Sequence, residues 1–233
     1  MNHLKTESEF EKKVIALNNE EMLRCEKSRY DGYRVSILPR ILAGFLVHGG
    51  TLVYGANPSY LKFRAVEVIA RVPYHSWQAV GFILMTLFYK DERRALRLAQ
   101  MEDFTRIAQD NETMHVVVIS ALAKQEEKSR VIHDTFVPLL FAGVYFFILH
   151  FFLVCKRWSF ELNYLFEQHA FDQYQIFLQT RGEVLKKKSV DSPFLRWYGR
   201  EPRNQYEFFV SVRNDEMVHR NRSIEAIEAL REE

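Results

Sequence analysis

Two of the eight histidines stand three residues after a glutamate, in Glu112-Thr-Met-His115 and Glu216-Met-Val-His219. Residues three or four apart share one face of a helix, so each pair can offer a carboxylate and an imidazole to a single ion. Glu-x-x-His is the pair motif of two-metal helical bundles. The chain holds 22 glutamates in 233 residues, so such pairs also arise by chance and their surroundings must decide. Met101, Phe104, Ala108, Glu112, His115, Ile119 and Leu122 form one helical stripe. Phe209, Val212, Glu216, His219, Ser223, Ala226 and Leu230 form a second. Two further stripes each carry a lone acid: Tyr60, Phe63, Glu67, Ala70, Tyr74, and Phe160, Tyr164, Glu167, Phe171, Tyr174, Leu178.

Four helices thus direct one glutamate each into an apolar interior, and two of them add a histidine. An ionised carboxylate buried alone costs several kcal/mol or takes up a proton. Four converging without basic partners repel one another, and two divalent or trivalent cations relieve that repulsion. The chain order Glu, Glu-x-x-His, Glu, Glu-x-x-His is that of carboxylate-bridged metal pairs.

The elements that must position these residues are helical. With nine glycines and six prolines, a many-turned β-barrel is disfavoured. Helices are predicted over about 60–89, bent at Pro73, over 92–124 after an Asp91 cap, over 159–186 and over 205–231, with a loop at 189–202. Residues 1–30 read as a polar helical arm of interleaved charges, and residues 31–233 as one domain. The stretch Ile37–Tyr54 is apolar but interrupted by Pro39 and Gly49-Gly50. Val137–Cys155 carries no formal charge over nineteen residues. That length suits a transmembrane span, burial in one leaflet, or a core helix.

Other chemistry is poorly supported. Lys plus Arg is 32 against 30 Asp plus Glu, a net charge of +2 that gives no global case for nucleic acid. Cys25 and Cys155 exclude a disulfide framework or a cysteine-rich metal site. Cys25 reads as a free thiol, with an intersubunit disulfide as the alternative, and Cys155 as a small buried hydrophobe. No phosphate loop or Gly-x-Gly-x-x-Gly turn is present. Lys186-Lys187-Lys188 with Arg196, Arg200 and Arg203 reads as a basic stretch facing anionic lipid or solvent. The N-terminus lacks the apolar core of a secretory signal, so the expected setting is the cytoplasm or the cytoplasmic face of a membrane.

At the metal-site residues the sequence resembles the alternative oxidases, membrane-bound di-iron quinol oxidases that include the plastid terminal oxidases. Asn111-Glu112-Thr-Met114-His115 resembles the family's Asn-Glu-x-Met-His box, and Arg213-Asn-Asp215-Glu216-Met-Val-His219-Arg220 its Arg-Ala-Asp-Glu-Ala-His-His-Arg box. Val66-Glu67-Val-Ile-Ala70-Arg-Val72-Pro73 is similar to Leu-Glu-Thr-Val-Ala-x-Val-Pro. Phe166-Glu167-Gln-His-Ala170-Phe-Asp-Gln-Tyr174 resembles Leu-Glu-Glu-Glu-Ala-x-x-x-Tyr. The uncharged run falls where the family carries a helix lying in one leaflet.

The resemblance implies an all-α, ferritin-like four-helix bundle with additional membrane-interface helices, working as a homodimer and holding two iron ions. It makes Glu67, Glu112, Glu167 and Glu216 metal ligands. His115 and His219 match histidines that bind the metals or hydrogen-bond beside them. Tyr174 matches a tyrosine proposed to be redox-active, and Asn111, Asp215 and Arg213 match residues that orient the ligands. Phe166 and Ala170 are expected at the quinol pocket. The chain departs from the pattern at Gln168-His169, where the family has two acids, at Gln173, usually Thr, and at Tyr74, where it has Gly. The implied function is oxidation of ubiquinol or a related quinol by dioxygen, giving water without proton pumping. The implied place is a bacterial cytoplasmic membrane, inner face, or a mitochondrial inner membrane. The partners are quinol, dioxygen and lipid, with no nucleic acid. Two alternatives remain at this stage: a di-iron quinone-ring hydroxylase, and a non-enzymatic membrane-bound helical module.

Overall fold

Side-chain oxygens start several helices by accepting from otherwise unpartnered first-turn N–H groups. Asn19 accepts from Glu21 N–H at 2.9 Å, Ser59 from Lys62 at 3.2 Å, Asp91 from Arg94 at 3.1 Å and Asn204 from Glu207 at 3.0 Å. The computed structural model describes residues 3–126, 131–152 and 156–230, and among the described residues all regular structure is helical. The order is α1 His3–Ala16, α2 Glu20–Ser28, α3 Ile37–Tyr54, α4 Tyr60–Phe88 and α5 Glu92–Glu126. A short π-helical segment, Ile132–Phe136, leads into α6 Val137–Phe152, followed by α7 Lys156–Leu185, α8 Pro193–Tyr198 and α9 Gln205–Ala229.

Helices α4, α5, α7 and α9 make the four-helix bundle. A short turn joins α4 to α5, so they lie antiparallel, with Tyr74 edge-on to Phe104 at 6.2 Å. Helices α7 and α9 are also antiparallel. Near one end Gly182 lies beneath Tyr206, where an added Cβ would stand 3.2 Å from the ring; near the other, Asn163 donates to Ser223 Oγ at 3.1 Å. An aromatic layer joins the two pairs: Phe63 stacks on Tyr174 at 4.1 Å and meets Phe177 edge-on at 5.1 Å.

Three expectations change. The arm is two helices, and it is not merely solvated. Phe10, Val14 and Leu17 are buried against Ile107, Phe171, Met217 and Val218 of the bundle. Burial of each such side chain contributes about 1.5–3 kcal/mol, enough to hold the arm down. Helix α3 runs unbroken through Pro39 and Gly49-Gly50. Pro39 falls in its first turn, where no intrahelical N–H bond is lost. Gly49 lets the Phe141 ring of α6 approach to 3.0 Å from where a Cβ would stand. The 189–202 loop contains α8, ended by Gly199 in the left-handed region at φ 88°. Helix α4 continues through Pro73.

Ile37–Tyr54 and Ile132–His150 are each long and apolar enough to cross a membrane by length and composition, with 11% and 17% of their residues buried. Neither helix is buried all round: each packs one side on the bundle and leaves most of its surface exposed. Phe45 and Leu52 of α3, Leu140 and Phe147 of α6, and Phe82 and Leu87 of α4 are exposed. Residues 153–155, and with them Cys155, lie outside the described residues. Cys25 is an exposed free thiol.

Candidate metal centre

Each bundle helix delivers its acid to the same buried point. Glu67 comes from α4, Glu112 and His115 from α5, Glu167 from α7, and Glu216 and His219 from α9; all six side chains are fully buried. They form two overlapping sets whose ligand atoms lie within 4.8 Å of one another: Glu67, Glu112, His115 and Glu216, and Glu112, Glu167, Glu216 and His219. Two overlapping sets of this kind could hold two neighbouring ions, with Glu112 and Glu216 common to both.

The donor atoms fit a metal better than they fit one another. Both oxygens of Glu112 and of Glu216, Oε2 of Glu167 and both ring nitrogens of His219 are buried without a hydrogen-bond partner. His219 Nδ1 lies 2.7 Å from Glu112 Oε1 but outside hydrogen-bonding geometry. Buried polar groups are almost always paired, so this concentration of unpartnered acceptors could hold a cation.

Residues around the cluster orient it. His115 Nε2 lies 2.8 Å from Asp215 Oδ2, while its Nδ1 faces Glu67 at 3.1 Å and Glu112 and Glu216 at 3.4 Å. With Nε2–H donated to Asp215, Nδ1 is the ring atom turned towards the carboxylates, the arrangement that fixes metal-binding histidines. Without metal, burial opposes the charge of His115, but Glu112 and the hydrogen bond to Asp215 outweigh it and hold His115 well above the ordinary histidine value. Nδ1 must therefore lose its proton to bind an ion. Asp215 also accepts from Asn111 Nδ2 at 3.2 Å and from both Arg200 Nη atoms. Arg200 in turn bonds Glu11 of the arm at 2.6 Å. Phe10 of the arm stacks on His219, with centroids 5.6 Å apart. Tyr174 donates to Glu67 Oε1, and Tyr74 donates to Glu167 Oε1 at 2.8 Å.

The remaining expected residues lie outside the hydrogen-bond network around the cluster. Arg213 is half-buried and bonds Gln175 at 3.0 Å and Asn214, not a ligand or Asp215. Phe166 and Ala170 are buried in the core that α3 and α6 make with α4 and α7, beside Leu46, Ile69 and Tyr145. Phe166 lines a groove there with Lys62, His169 and Phe141. Arg200, read as part of a stretch facing lipid or solvent, is instead the buried partner of Asp215; Arg196 and Arg203 pair with Asp191 and Glu207. Tyr74, Asn163, Arg200 and the Phe10–Glu11 segment are the site residues that sequence reasoning missed. Phe10, Val14 and Leu17 at helical spacing were the available signal for the last.

Burial and mutual repulsion set the charge states. Burial, then Glu112, raises Glu67 to about 8, and the same causes raise Glu167. Burial and three neighbouring carboxylates hold Glu216 well above the usual range. Burial opposes ionisation of Glu112 too, but His115 and His219 outweigh it and hold Glu112 low. Burial works against Asp215 as well, yet Arg200 keeps it ionised, at about 2. Without metal, Glu67 therefore carries a proton at pH 7, and Glu167 and Glu216 lean the same way. Metal uptake must displace such protons, so affinity is expected to rise with pH from about 6 to 8. Calorimetric metal titrations in buffers of different ionisation enthalpy measure that release; a pH-independent affinity with no proton release contradicts it.

The model of the family described as alternative oxidase matches residues 40–227, which include all six cluster side chains. The chain belongs to the alternative oxidase family. Within that membership it is similar to ubiquinol oxidase 4, chloroplastic/chromoplastic, of Arabidopsis thaliana, at 25% identity over 182 residues. The match covers 69% of this chain and 49% of the relative, so the chain spans about half that relative's length. No solved structure matches it.

Proposed function

We propose that the chain is a non-electrogenic quinol oxidase that oxidises ubiquinol or a related quinol and reduces dioxygen to water, with two iron ions that the six-residue cluster would hold. The observation that carries this reading is the pair of buried ligand sets sharing Glu112 and Glu216. Family membership and the relative named for ubiquinol oxidation support it. Glu67, Glu112, His115 and Glu216 would hold one ion, and Glu112, Glu167, Glu216 and His219 the other. Bound iron supplies the one-electron chemistry that matches a two-electron donor to a four-electron acceptor.

The protein's own groups do the rest. The cluster is sealed from water, which strengthens every electrostatic interaction inside it. The exposed apolar sides of α3, α6 and the end of α4 suit burial in one leaflet, with the bundle outside it. The groove lined by Leu46, Phe141 and Phe166 lies between these helices and the bundle, so quinol enters laterally from lipid. Its free space is about 30 Å³, room for one water, so admitting a quinol ring requires side chains to move. On its wall, burial and then Lys62 lower the pKa of His169 below the ordinary histidine value. His169 is therefore neutral at pH 7 and able to accept a quinol hydroxyl proton. Lys62 is held by the Gly55 and Ala56 carbonyls and Gln173 Oε1, at 3.0–3.1 Å. Tyr174 offers a phenolic hydrogen and an oxidisable ring against Glu67. The proposal includes the homodimer implied by the family resemblance.

Product analysis tests the assignment. Purified protein given quinol and oxygen should return quinone with an unaltered ring. A ring-hydroxylated product would assign the hydroxylase alternative, and no turnover by metal-loaded protein would leave only the helical module.

A further inference from the structure

The two lone glutamates are held by crossed tyrosines. Tyr74 stands seven residues after Glu67 on α4, and Tyr174 seven residues after Glu167 on α7. Two helical turns bring each ring back to its own glutamate's face. Yet each hydroxyl reaches across to the other helix: Tyr174 donates to Glu67 Oε1, and Tyr74 to Glu167 Oε1 at 2.8 Å. Both tyrosines are fully buried. In each glutamate one oxygen is thereby occupied. Glu167 Oε2 is the oxygen left without a partner.

Tyr74 is itself braced. Asn163 Nδ2 lies 3.4 Å from its hydroxyl and donates to Ser223 Oγ at 3.1 Å, and Ser223 is anchored on the His219 carbonyl at 3.2 Å. The Tyr74 ring stands edge-on to Trp77 at 5.5 Å and lies against the His219 ring at 5.3 Å. Trp77 is fixed by donating to Ser159 Oγ at 2.7 Å. Ring and hydroxyl are therefore both held, and Glu167 can satisfy its buried Oε1 only by keeping this orientation.

Glu67 belongs only to the first ligand set and Glu167 only to the second. We infer that Tyr74 is a positioning residue for the second metal position: its hydroxyl occupies Glu167 Oε1 and aims Oε2 at the ion bound with Glu112, Glu216 and His219. Tyr174 does the same for the first position through Glu67, so each tyrosine governs one ion. The inference rests on the two-metal reading of the cluster.

The test is titration of the full-length, metal-free protein with manganese(II), following the free ion by EPR. Wild-type protein should bind about two ions per chain. Tyr74→Phe keeps the ring and removes the hydroxyl; it should weaken one of the two ions about 10–100-fold and leave the other unchanged. In a Glu167→Gln background the same substitution should add nothing, since its target carboxylate is gone. Asn163→Ala, which removes the brace without touching the tyrosine, should weaken the same ion by a smaller factor. A wild-type isotherm for Tyr74→Phe overturns the inference, and so does equal weakening of both ions, the mark of a packing role. Failure of wild-type protein to bind two ions overturns the two-metal reading itself.

Discussion

Glu112→Ala is expected to abolish metal binding and quinol-dependent oxygen uptake together. Glu112 belongs to both ligand sets, with its oxygens 2.7 Å from His219 Nδ1 and 3.4 Å from His115 Nδ1. It is also the glutamate of the cluster that the two imidazoles keep ionised before metal arrives, whereas Glu67, Glu167 and Glu216 are pushed towards their protonated forms. Its removal takes a shared ligand from both ions and the charge that first attracts them. Oxygen uptake should fall more than about a hundredfold, about 2.7 kcal/mol in barrier. The helices persist, because the truncation leaves the four-helix packing in place, and a far-UV spectrum checks this. Glu183→Ala provides the comparison: Glu183 is exposed on α7 and pairs only with Lys186 among the interactions seen, so metal content and turnover should not change. Two tightly bound ions and normal uptake in Glu112→Ala contradict the ligand assignment.

Tyr174→Phe should reduce quinol-dependent oxygen uptake by at least about tenfold, about 1.4 kcal/mol, at saturating iron and with membrane binding intact. The phenyl ring preserves the stack on Phe63 at 4.1 Å and the contact with Phe209. What it removes is a hydroxyl, the hydrogen bond to Glu67 and a phenol that can give up an electron and a proton. Tyr174 is fully buried, so no water replaces that group. If Tyr174 serves only as a core aromatic, the iron-replete variant loses a little stability and no turnover. Wild-type uptake by that variant refutes a part in the reaction and leaves the metal site standing.

The cluster was legible in the sequence because the helical period alone puts Glu112 with His115 and Glu216 with His219, and because an acid inside an apolar stripe needs a partner. What lay beyond that reading depends on contacts distant along the chain. Arg200 sits in a basic stretch, and only the left-handed turn at Gly199 and the packing of α8 against α5 bring it onto Asp215. Glu11 and Phe10 belong to an arm whose many charges mask its three apolar anchors. Arg213, inside a recognisable box, bonds Gln175 and Asn214 because those are the polar groups its side of α9 meets. Tyr74 was visible as a member of the Glu67 stripe and as a departure from a family glycine; its purpose depends on Glu167 and Asn163, which lie on another helix. The interruptions assigned to α3 failed for a local reason: a proline in a first turn breaks nothing.

The central claim is that electrons from quinol reach dioxygen at this cluster and leave it as water. The measurement that tests it most directly is the ratio of quinol oxidised to oxygen consumed by the purified, iron-loaded protein in lipid. Complete four-electron reduction predicts two quinols per dioxygen, with uptake lost in Glu112→Ala. A ratio of one, or quinol oxidation that Glu112→Ala leaves untouched, would contradict it.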